Sequence, residues 1–87
     1  MAGLLPKELG KDTDVNTVTT TGNYLYTTSG NVSVNELHSP SINNGHIFVV
    51  ANNNYVIQYA NDQSLGLYYR SKTDRLTWSP WQHLQHD

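Results

Sequence analysis

Six tyrosines and two tryptophans stand among many asparagine, glutamine, serine and threonine residues. That pairing of ring and amide resembles the inventory of a carbohydrate-binding surface. Sugar rings present C–H faces that pack on flat aromatic rings, while their hydroxyls pair with planar amides and guanidinium groups. A weakly charged surface of this kind suits a neutral ligand. The candidate binding residues are Trp81, Tyr68, Arg70, Tyr55 and Tyr59. The competing assignment is that the aromatics build the core of a small β domain, and it applies first to Tyr24, Tyr26, Tyr69 and Trp78. Arg70 has a structural alternative of its own, stacking on a tryptophan face or tying a carbonyl-rich turn.

Other chemistries find little support. His83 and His86 are spaced for one face of a helical turn, but a metal needs further ligands, and terminal Asp87 is a weak one. His38 and His46 bracket a loop and read as exposed or structural. The seven carboxylates are scattered, whereas a glycosidase holds two of them roughly 5–10 Å apart across a cleft. There is no Gly-x-Ser-x-Gly turn and no phosphate-cradling glycine loop. Asn31-Val32-Ser33 fits a glycosylation acceptor, relevant only in a eukaryotic secretory pathway. No catalytic residue, metal site or cofactor is assigned.

The elements that position these residues follow from composition and pattern. At 87 residues there is room for one domain. Charged residues make up 14%, against about 25% in an average domain, and Asn, Ser, Thr and Gly fill the difference. That mix suits strands and turns rather than a helical bundle. With no cysteine there is no disulfide to reinforce a small core, so oligomerisation is the natural source of added stability. A net charge of −2 gives no pull toward nucleic acid or anionic membranes, and no apolar run is long enough to span a bilayer. The first residues lack the pattern of a signal peptide, which fits cytosolic assembly better than export.

Along the chain, residues 1–13 read as a leader or attachment linker with an apolar hook at Leu4-Leu5, and residues 14–87 as the β domain. Asp14 to Thr17 predicts a capped turn. Strands are predicted over Asn23–Thr28, Val32–Val34, His46–Ala51, Tyr55–Ala60 and Leu67–Ser71, with a further extended segment at Leu76–Trp78. The run Ile47-Phe48-Val49-Val50 implies a strand covered on both faces, by the chain itself or by a partner subunit. Asn52-Asn53-Asn54 reads as a hairpin loop using asparagine's tolerance of positive φ. Residues 35–45, rich in breakers, form a long loop anchored by Leu37 and Ile42. Strand alternation sends Leu67, Tyr69 and Ser71 to one side and Tyr68 and Arg70 to the other. Ser79-Pro80 must break the chain between Trp78 and Trp81, so the two indoles are expected to point apart, one into the core and one along its rim. The fold class is all-β: a small antiparallel sheet or sandwich-like knob of five or six strands with long loops.

The ordered motifs carry a resemblance. Asp14-Val15-Asn16, Gly22-Asn23-Tyr24, Pro40, Gly45-His46-Ile47-Phe48-Val49 and Val56-Ile57-Gln58-Tyr59 are followed by Tyr68-Tyr69-Arg70-Ser71 and Trp78-Ser79-Pro80-Trp81. Together they resemble the pyocin-knob type of domain found in phage tail fibres and related receptor-binding appendages. The match spans roughly residues 14–84; the polar Asn52-Asn53-Asn54 link departs from it. The resemblance implies a virion tail or fibre protein, assembled as a homotrimer with other fibre proteins and engaged in host adhesion. With the aromatic and amide inventory, it implies recognition of bacterial cell-surface glycan. A structural spacer or attachment domain with no ligand of its own is the alternative, and a glycan-processing enzyme ranks third.

Overall fold

The computed structural model describes residues 5–27, 33, 36–39, 44–62, 66–73 and 77–84. Six strands form: β1 (Lys7–Glu8), β2 (Gly22–Thr27), β3 (Asn44–Ala51), β4 (Tyr55–Asp62), β5 (Gly66–Thr73) and β6 (Gln82–Leu84). They lie side by side in chain order in one sheet. The all-β expectation holds, with one correction. β1 runs parallel to β2, pairing Lys7 with Tyr24 and Glu8 with Leu25, so the sheet is mixed. Among the described residues it is a single sheet, the first of the two forms expected.

The end of the segment read as a leader is tied into this sheet. Beyond β1, the Leu9 amide donates to the Leu25 carbonyl at 3.0 Å and the Asp12 amide to Thr27 at 3.1 Å. Both edges of the sheet are short, two residues in β1 and three in β6. β4 and β5 run on to Asp62 and Thr73, so the turns expected after Ala60 and Ser71 begin later. No strand forms at residues 77 and 78, and the strand that returns along β5 is β6. Val32, Val34 and Ile42, expected in a strand and as a loop anchor, lie outside the described residues.

Register explains what is buried. Ile47 and Val49 of β3 pair with Ala60 and Gln58 of β4, and Gln58 and Ala60 pair with Arg70 and Tyr68 of β5. These residues share one face with Tyr24 and Tyr26 of β2. Val15, Val18 and Leu37 pack onto that face from outside the sheet and complete the core. Val15 sits in a short 3-10 turn, Val15–Thr17, whose first amides Asp14 caps by accepting from the Asn16 amide at 2.9 Å. Among the described residues the second layer is therefore irregular chain, not another sheet.

The opposite face is uncovered among the described residues. Phe48, Val50 and Tyr55 are 44%, 53% and 43% exposed, and Ile57 and Tyr59 beside them are half-buried. Among the described residues the β3 run is thus covered on one face only. Tyr69, assigned to the core from sequence, pairs with Tyr59 on this open face. In the 52–54 link the asparagine side chain closes the loop: Asn52 Oδ1 accepts from the amides of Asn54 and Tyr55 at 2.8 and 3.0 Å. None of these asparagines takes a positive φ, which among the described non-glycine residues occurs at Asp12 and His38. The predicted loop is right, and its mechanism is an Asx turn.

Candidate functional site

Gln58 occupies the middle of the inward row Val56, Gln58, Ala60 and is fully buried. An amide there must satisfy one acceptor and two N–H donors. Its Nε2 donates to the carbonyls of Val15 and Val18 at 2.8 and 2.9 Å, and its Oε1 accepts from Arg70 Nε at 2.8 Å. One side chain thus pins the covering 3-10 segment to the sheet and orients the arginine beside it.

Arg70 is 4% exposed, unusual for a guanidinium. It lies between two indoles, its Cζ 4.1 Å from the Trp78 ring centroid and 4.5 Å from that of Trp81. Weak hydration and a flat charge let arginine stack where lysine would not. Burial pushes its pKa down to about 10, with the carboxylate of Asp14 acting in the opposite direction. It remains a cation at neutral pH.

The convergence of the indoles corrects the expectation that they diverge, and a bulge is the reason. The Ser79 amide donates to the Ser71 carbonyl at 2.8 Å, and the Ser71 amide donates to Ser79 Oγ at 3.0 Å. Beyond this, Gln82 pairs with Tyr69. Three steps along one strand therefore face two along the other, and the extra residue lies opposite Arg70. That one-residue slip returns Trp81 to the side Trp78 occupies. Pro80, which has no N–H for a ladder, sits where none is needed.

Trp81 is held from its far end as well. Its Nε1 donates to the His38 carbonyl at 2.9 Å, His38 has φ 56°, and His38 Nδ1 lies 2.8 Å from Asp14 Oδ1. Asp14 thus caps the 3-10 turn and steadies the loop that receives Trp81. These groups border a cleft of about 660 Å³, with Asn16, His38, Lys72, Trp78, Pro80 and Trp81 among its walls and Arg70 at its base. That lies within the ~300–1,000 Å³ usual for small-molecule sites. Two buried polar atoms of its lining residues, Asn16 Oδ1 and Arg70 Nη2, have no hydrogen-bond partner among the described residues. No carboxylate lines the cleft among the described residues.

The five candidates from sequence separate. Trp81 and Arg70 meet in the cleft. Tyr68 shares their face but stacks on His83, ring centroids 4.6 Å apart, and packs against the core. Tyr55 and Tyr59 lie on the opposite, open face. Sequence reasoning missed Gln58, Asn16, His38 and Lys72 as neighbours of the site. The signal for Gln58 was available: a lone amide in an otherwise apolar inward row.

No family model, curated protein or solved structure matches the chain.

Proposed function

We propose that the chain is a knob module of a phage or phage-like tail fibre, serving host adhesion by holding bacterial cell-surface glycan in the cleft between Trp78, Trp81 and the His38 loop. The observation that carries this reading is the cleft, where two indoles, an amide and two cations line a space of saccharide size. The ordered motif resemblance supports the same assignment. Such a shallow site binds weakly, and several copies supply avidity. The open sheet face, with Phe48 and Val50 exposed, supports association between copies; the motif resemblance is what makes that a homotrimer on a virion fibre.

Light scattering of the purified chain over a dilution series, followed by glycan-array screening, tests this. The expected outcome is a stable trimer with array hits that disappear in Thr77→Trp, which crowds the cleft from an exposed position without adding charge. A chain that stays monomeric at every concentration sinks the trimer claim.

A spacer with no ligand is the second reading, favoured by the way Gln58, Arg70, Trp78 and Trp81 satisfy one another. A stable trimer with no array hit would support it.

A further inference from the structure

The cleft is electrically unlike the rest of the chain. The whole sequence carries a net charge of −2, yet among the described residues the cleft walls hold Arg70 and Lys72 and no Asp or Glu. Asp14, whose charge reaches Arg70, has its Oδ1 engaged by His38 at 2.8 Å and by the Asn16 amide at 2.9 Å. Arg70 is bound by Gln58, a neutral acceptor, and by two ring faces. None of these partners supplies a formal negative charge. Its Nη2 is buried with no partner among the described residues, and an unpaired cationic donor is among the costlier groups to bury. Lys72 stands two residues along the same face of β5, its ammonium 5.2 Å from the Trp78 ring centroid, and keeps partial exposure. Asn16 Oδ1 adds an acceptor that lacks a donor. Two cations, a free acceptor and two indoles in one recess match a ligand that brings an anion, hydroxyl donors and C–H surface together.

We propose that this cleft takes an acidic saccharide, a sugar bearing a carboxylate or a phosphate, with Arg70 and Lys72 facing the anion and Asn16 receiving a sugar hydroxyl. The inference deepens the adhesion reading and rests on it. It also replaces the neutral ligand that the low overall charge suggests, because local charge decides recognition at a small site.

The test follows the two indole N–H resonances of the ¹⁵N-labelled full chain during titration with glucuronate, glucose 6-phosphate, glucose and inorganic phosphate. The expected result is that one or both acidic sugars bind at least about tenfold more tightly than glucose. That preference should shrink as salt is raised, and in Lys72→Gln. Lysine at this position is partly exposed, so the variant is expected to fold. A response to glucuronate alone assigns a carboxylate, and one to glucose 6-phosphate alone a phosphate; either supports the inference. Equal binding of glucose and glucuronate overturns the acidic ligand while leaving glycan adhesion intact. Inorganic phosphate binding as tightly as the sugar phosphate overturns it as an adventitious ion only. An unchanged response in Lys72→Gln overturns the placement. Silence toward all sugars overturns the inference and leaves adhesion to be judged by the array.

Discussion

Arg70 Nε donates to Gln58 Oε1 at 2.8 Å between two residues that face each other directly across β4 and β5. The same amide donates to the Val15 and Val18 carbonyls, so a single side chain couples the buried cation to the layer above the sheet.

Replacing that amide therefore removes three hydrogen bonds and strips Arg70 Nε and the Val18 carbonyl of their partner, while the Val15 carbonyl keeps the Val18 amide at 3.1 Å. Gln58→Leu, which preserves size, is expected to cost about 3–5 kcal/mol. A domain of this size has only on the order of 5–10 kcal/mol to lose. Urea denaturation followed by circular dichroism gives the number. A loss below about 1 kcal/mol would show that the coupling described here carries little of the stability.

Trp81 contributes a ring face and an N–H, and the two are separable. Trp81→Phe keeps a ring over Arg70 but releases the His38 carbonyl, for an expected loss of about 1 kcal/mol. Trp81→Ala also uncovers the guanidinium and should cost about 3 kcal/mol. Equal losses in the two variants would mean that the hydrogen bond, not the stack, does the holding.

Tyr26, 1% exposed, has its phenol pushed up by burial, with the Ser39 side chain acting in the opposite direction. The ionised form is thus disfavoured in the folded protein. Its contribution to stability is fully present below the unfolded value of about 10 and is lost as pH rises through the higher folded value. Absorbance titration of the phenolates should show Tyr26 ionising above the ordinary tyrosine range, with cooperative unfolding. In Tyr26→Phe that late step should vanish. A late phenolate that survives the substitution belongs to another tyrosine.

On the open face, Val50 is 53% exposed within the chain, so Val50→Lys should leave the isolated fold within about 0.5 kcal/mol of the parent. If copies associate through this face, the same change buries a charge in the contact and shifts the light-scattering mass toward the monomer. An unaltered trimer would place the contact elsewhere.

How far the sequence revealed this follows from which signals are local. Alternation in Tyr55-Val56-Ile57-Gln58-Tyr59 and in Leu67-Tyr68-Tyr69-Arg70-Ser71 was readable directly, and both strands and their faces follow from it. Asp14 announced its capped turn for the same reason. The meeting of Trp78 and Trp81 was hidden because it depends on register: Ser79-Pro80 marks a break, but only its pairing with Ser71 shows that the break is a one-residue bulge. His38 reaches the cleft by a contact 43 residues away in sequence, to Trp81, which no periodicity encodes. Tyr69 was assigned to the core because an aromatic in a strand looks the same whichever face is covered, and here its face is the bare one.

The brevity of the two outer strands restricts how copies of this chain can meet. With two residues in β1 and three in β6, neither margin offers a long row of unpaired amides and carbonyls on which a neighbour could template itself. Continuous polymerisation through the backbone, the route to fibrils, has little to begin from. If copies do associate, side chains on the broad face, Phe48 and Val50 among them, are left to make the contact.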